Sequence, residues 1–237
     1  MPTIDDTITL ADIVTTSPGA ARILESFGLD YCCGGARPID AACRDAGVDV
    51  AAVRSALAAA PSEPPADWVT MGPTELVDHL ETTHHAYLHT ELERLSALAA
   101  KVEAAHGARH PEVADVRSTY EALRAELEPH LLKEERVLFP MIRELETATS
   151  APEFHCGTLL NPISVMRAEH EQAGELLDRI RSLSGGFQTP ADGCASFRAF
   201  YDGLDELEAD THLHIHKENN VLFPMVVALE ARLSAAP

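Results

Sequence analysis

Two copies of one spacing, His130-x-x-x-Glu134 and His214-x-x-x-Glu218, place an imidazole and a carboxylate four residues apart. On a helix such residues project from one face about a turn apart. A histidine nitrogen and a glutamate oxygen then approach one ion from above and below, while the second glutamate oxygen reaches toward a neighbouring ion. The copies belong to an internal repeat: HLLKEERVLFPM from His130 matches HIHKENNVLFPM from His214 at eight of twelve positions, 84 residues on. His85 and His170 stand 85 apart, so each copy gains one further histidine from a partner helix. His85, His130, Glu134, His170, His214 and Glu218 thus form a six-residue set around a pair of ions. Imidazole with carboxylate inside a bundle is a ligand mix for paired iron or manganese, whereas thiolate sets suit zinc or clusters.

One histidine on an apolar stripe is ordinarily a hydrogen-bonded core residue, and one H-x-x-x-E is a weak signal. Six such residues at repeat-related positions are harder to explain as core. Burying them without a metal would cost several kcal/mol for each ionised group. Each histidine also lies on an apolar stripe. Leu123, Leu127, Leu138 and Met141 bracket His130, and Leu207, Leu222 and Met225 bracket His214; His85 heads Leu88, Leu92 and Leu95, as His170 heads Ala173, Leu177 and Ile180. His84 sits nearer the centre of its apolar face than His85, but only His85 matches His170 in the repeat. His212 and His216 lie roughly opposite His214 and read as solvent-facing or peripheral, and His79 and His89 as surface residues. Glu126 and Asp210, four residues before His130 and His214, and Glu169, beside His170, are either orienting carboxylates or surface charges.

The elements that must position these groups are long helices. Stretches 73–105, 112–146, 160–183 and 195–232 are amphipathic and separated by short breaks, which favours an antiparallel up-down four-helix bundle. Pro140 and Pro224, each six residues past a glutamate, are expected to kink or end their helices. Residues 1–60 form a smaller helical unit. A helix starts at Ser17-Pro18 and stops at Gly28, the Asp30-Tyr31-Cys32-Cys33-Gly34-Gly35 turn follows, and short helices span 40–46 and 49–60 on either side of Gly47. The proline-rich 61–72 reads as a semi-stiff linker, with the bundle occupying 73–237.

Composition narrows the function. In 237 residues, 46% are hydrophobic and 24% charged, as in a soluble globular protein. Eighteen basic against 38 acidic residues give a net charge of −20, which opposes nucleic acid or an anionic membrane surface as partner. No apolar run approaches the ~18 residues of a membrane helix, and the acidic first six residues lack the basic and apolar regions of a signal peptide. Five cysteines without framework spacing (Cys32, Cys33, Cys43, Cys156 and Cys194) point to reduced thiols in the cytoplasm.

The Asp30-Tyr31-Cys32-Cys33-Gly34-Gly35 turn and the two H-x-x-x-E-x-x-V-L-F-P blocks resemble the iron–sulfur cluster repair di-iron family, over nearly the whole chain. That resemblance implies an all-α hemerythrin-like bundle behind a small cysteine-bearing domain. It implies two non-haem iron ions, oxo- or hydroxo-bridged, on the six residues above, one histidine fewer than ordinary hemerythrins use. It further implies restoration of iron–sulfur clusters damaged by nitric oxide or peroxide, with damaged iron–sulfur proteins as partners and a monomer or homodimer as the working form. Iron donation and nitric oxide reduction stay open alternatives, and so does whether the protein is an enzyme. A hemerythrin-type oxygen carrier or sensor is a third reading. Cys32 and Cys33 are expected to accept or pass on iron or electrons, because thiolates are soft iron ligands and redox nucleophiles. Cys156 and Cys194 read as ordinary buried or loop thiols.

Overall fold

The computed structural model describes residues 7–60 and 66–235; the acidic N-terminal six residues and the proline-rich start of the expected linker lie outside them. The described residues form helices and turns without a strand. The N-terminal unit contains α1 (Leu10–Thr16), α2 (Ala20–Ser26), α3 (Ile39–Ala46) and α4 (Val50–Ala59). A reciprocal capping box between Thr9 and Asp12 starts α1, an element the sequence reading passed over. Ser17 and Pro18 make a turn whose carbonyls receive Ala20 and Ala21, so α2 begins two residues later than expected. Gly28 and Gly47 end α2 and α3 in the left-handed conformation that glycine alone adopts without strain.

Four long helical rods follow. The first joins α5 (Pro73–Leu80) to α6 (Ala86–His106) through a π turn, Glu81–His85. The second joins α7 (Glu112–Lys133) to α8 (Phe139–Thr147) through Glu134–Leu138. The third is α9 (Leu160–Leu183). The fourth joins α10 (Ala195–Lys217) to α11 (Phe223–Ser234) through Glu218–Leu222. Helix α6 packs on α7 and α10, and α7 on α9, which closes an up-down bundle. Pro140 and Pro224 do not end their rods. Each falls two residues after a π turn, where the return from i+5 to i+4 pairing leaves a carbonyl over in any case, so the missing N–H costs little.

The bundle core is split in two. Leu88, Leu92, Leu123, Leu127, Leu177 and Leu207 belong to one cluster, and Leu80, Leu138, Phe139, Met166, Leu222 and Phe223 to the other. Trp68, at the end of the expected linker, is buried in the second cluster. A third cluster fills the N-terminal unit and includes Ile215 of α10, which docks that unit on the bundle. Between the two bundle clusters lies a layer of buried histidine and glutamate.

Candidate metal centre

The three π turns, the helix ends beside them and the middle of α9, which bears His170, carry that layer. Glu134 and Glu218 open their π turns, one turn beyond His130 and His214, and His85 closes the first. Such single wide turns recur at functional sites because the extra residue re-aims side chains. The structure brings together all six residues expected from the sequence. They fall into two groups, His85, His214, Glu134 and Glu218, and His130, His170, Glu134 and Glu218, each with its potential ligand atoms within 4.8 Å of one another. Both carboxylates are shared, the arrangement that two bridged ions require.

The hydrogen bonds set the protons. Nδ1 of His85 lies 3.0 Å from Glu135, Nδ1 of His130 lies 2.8 Å from Glu169, and Nδ1 of His170 lies 3.0 Å from Asn219 Oδ1. These acceptors place the proton on Nδ1 and leave a lone pair on Nε2. Those Nε2 atoms face each other and the carboxylates. His130 and His170 meet Nε2 to Nε2 at 3.1 Å, and Nε2 of His85 and His130 lie 3.5 and 3.4 Å from Glu134. Nε2 of His170 is 3.1 Å from Glu218 Oε2, close but not aligned as a hydrogen bond. Both Glu134 oxygens, Glu218 Oε2 and His85 Nε2 are buried with no hydrogen-bond partner. Lone pairs converging in a dry pocket fit cations placed between them.

Electrostatics agree. Burial, with His214 as neighbour, lowers His85 to about 4; burial and His170 do the same to His130. Burial lowers His214 too. These rings are neutral at pH 7, the form that binds metal. The glutamates diverge: burial and Glu218 raise Glu134 well above the ordinary carboxylate range. Glu218 is lowered well below it, burial opposing, by the neighbouring imidazoles, first His214, which also hydrogen-bonds it, and then His170. Two carboxylates this close resist both being ionised without a cation.

The histidine bordering His85 has another job. His84 spends Nδ1 on Asp210 at 2.8 Å and Nε2 on Lys217 at 2.7 Å, and its ring stacks on His214 with centroids 5.2 Å apart. Lys217 also bonds His79 and lies over the Trp68 ring, and burial lowers it to about 8. His79 is therefore half-buried and partnered rather than a free surface residue, whereas His89 is exposed beside Glu135. Glu169 does hold a ligand-type histidine, Asp210 serves His84 instead of His214, and Glu126 is exposed. The sequence reading missed Glu135, Asn219 and Lys217. Glu135 and Asn219 had a signal in the repeat, since each directly follows a repeat glutamate. His216 is the clearest correction. It is fully buried, with bonds to Thr15 and the Tyr31 carbonyl, because the N-terminal unit covers the face of α10 opposite the site.

Comparison with known proteins supplies the identity. The hemerythrin HHE cation binding domain matches residues 76–226, and a domain of unknown function, DUF542, matches residues 6–61. A probable iron-sulfur cluster repair protein of Haemophilus influenzae is 35% identical, covering 92% of this chain and 96% of its own length. Iron-sulfur cluster repair protein YtfE of Enterobacter sp. strain 638 is 35% identical over 93% of this chain and 97% of its own, and that of Escherichia coli O157:H7 is 34% identical with the same coverage. The chain belongs to the iron–sulfur cluster repair protein family.

The family's double-cysteine turn lies against the bundle. Asp30 organises it: Oδ1 accepts from the Cys32 and Cys33 amides, both at 2.9 Å, and Oδ2 from the Gly34 amide. Cys32 is buried, and its thiol is raised well above its usual range, first by its contact with Cys33, then by burial and Asp30. Cys33 is partly exposed and borders a cleft of about 470 Å³ between the turn and the third and fourth rods. Asp30, Cys32 and Cys33 could themselves hold an ion. Cys156 lies in a loop as expected. Cys194 is exposed at the N-terminus of α10, where a 3.2 Å contact from His106 lowers it to about 7, so it is not an ordinary thiol.

Gly35 keeps the turn tight. A β-carbon there would strike the Tyr31 carbonyl and come within 2.9 Å of Asn220 Oδ1. Gly35→Ala is expected to destabilise the fold by about 1–3 kcal/mol, as small-to-large changes in packed sites do, and to speed alkylation of Cys33. A urea titration and a timed iodoacetamide reaction check both effects.

Proposed function

We propose that the protein repairs iron–sulfur clusters damaged by nitrosative or oxidative stress in the cytoplasm, using two iron ions held by His85, His130, Glu134, His170, His214 and Glu218. The observation that carries the reading is the face-to-face contact of unprotonated Nε2 atoms and shared carboxylate oxygens in a buried layer. When bound, the iron pair supplies both transferable iron and redox chemistry toward nitric oxide. The chain's own groups would hold it: Glu135, Glu169 and Asn219 fix the histidine tautomers, and Glu134 and Glu218 would be available to both ions.

The names of the relatives support cluster repair, and the hemerythrin match supports a bound cation. Among the described residues no helix is long and apolar enough to cross a membrane, and all five cysteines are free, as a reducing compartment requires. Damaged iron–sulfur proteins would be the partners, and the acidic surface argues against nucleic acid. Metal analysis with Mössbauer spectroscopy should find two irons per chain in one coupled centre. The iron-loaded protein should restore activity to a nitric-oxide-treated cluster enzyme. One zinc per chain, or equal repair by metal-free protein, would end this reading.

A further inference from the structure

The repeat is broken at one informative position. Glu135 and Asn219 occupy equivalent places, directly after Glu134 and Glu218. They bond equivalent rings, Glu135 to His85 and Asn219 to His170, both at 3.0 Å. On the Glu135 side the acceptor's other partner is His89. On the Asn219 side the amide nitrogen faces the double-cysteine turn, 3.4 Å from the Cys32 carbonyl and 4.0 Å from Cys33 Sγ. A carboxylate could accept from His170 but could not donate to that turn. A side-chain amide does both at once. The next residue strengthens the clasp: Asn220 donates to the Tyr31 and Cys32 carbonyls at 3.3 and 3.0 Å.

We propose that Asn219 is a positioning residue that couples the Cys32–Cys33 turn to the His130–His170 half of the metal centre, so that a change at Cys33 alters how firmly that half holds its ion. The inference rests on the repair reading and adds its regulation. Asn219 is the group that touches both the turn and a ring of the centre through one rigid side chain. Displacing its nitrogen from the cysteines moves its oxygen away from His170, and the ring loses the partner that orients it. Orienting groups of this kind commonly set metal affinity. Coupling also runs both ways: an ion on His170 fixes Asn219 and thereby steadies the turn.

The test uses full-length iron-loaded protein. Iron removal by a chelator is followed before and after alkylation of Cys33 with iodoacetamide, the alkylated site being located by mass spectrometry. In the parent protein, alkylation should change the release of one of the two irons by about fivefold or more, the low end of ordinary coupling between sites. Asn219→Asp keeps an acceptor for His170 and loses the donor, so it should still bind two irons while the response to alkylation disappears. Glu135→Gln, on the uncoupled side, should keep the response. Asn219→Ala, which removes both contacts, serves if the aspartate variant misfolds, and should also abolish it. Unchanged iron release on alkylating the parent protein, or a full response in both Asn219 variants, would overturn the coupling while leaving the repair reading standing. Absence of bound iron in the parent protein would remove both.

Discussion

Replacing Glu134 and Glu218 together with methionine is expected to take bound iron from two ions per chain to none, abolish repair, and raise the stability of the metal-free protein. The first two effects follow from position, because both four-residue groups of the centre use both carboxylates and neither survives their loss. The third is the sharper test. In the metal-free protein three of the four carboxylate oxygens are buried without a hydrogen bond, and Glu134 has none at all. An unsatisfied buried polar group costs about 1–3 kcal/mol, and apolar groups of similar volume recover that. Methionine is close to glutamate in size and flexible enough to fill the space. Thermal melts of both metal-free proteins should put the variant several degrees higher. A purely structural role for the pair predicts the opposite, a lower melting temperature with every other property following from it. Stability given up for a binding site is the ordinary trade at functional positions.

Periodicity explains why so much was legible in advance. Apolar residues at helical spacing mark the four rods within a few residues, and the repeat joins His85 to His170 without reference to structure. What escaped depends on groups that meet only after folding. His216 reads as peripheral because a helical projection knows only its own helix; the face opposite His214 is covered by a separate unit, which Thr15 and Tyr31 supply. The π turns escaped because one extra residue per turn leaves no mark in composition. They also let both rods run on past Pro140 and Pro224. Glu126 stayed open between orienting carboxylate and surface charge for the same reason, and it is exposed. Spacing along its own helix suggested a partnership with His130, but Glu169 approaches from a neighbouring helix and takes that nitrogen.

Acid should unfold the metal-free protein far more readily than the iron-loaded one, and between pH 6.5 and 4. Burial lowers His85, His130 and His216 to about 4, against an ordinary histidine near 6.5 in the unfolded chain. Over that window the unfolded state takes up protons that the folded state refuses, so stability falls as pH falls. Each ring contributes roughly 3 kcal/mol once the window is crossed. Glu134 works the other way, since its raised carboxyl is protonated in the fold at pH values where the unfolded chain ionises, and it opposes the histidines. In the iron-loaded protein the metal would occupy Nε2 of His85 and His130, and protons would have to displace it before these rings contribute. His216 lies outside the centre, beneath the N-terminal unit, so its share of the pH dependence persists with metal bound. Urea midpoints measured from pH 7 to 4 should therefore drop steeply without iron and gently with it. His216→Gln should flatten the gentle slope further. Parallel slopes with and without iron would mean that His85 and His130 do not hold the metal.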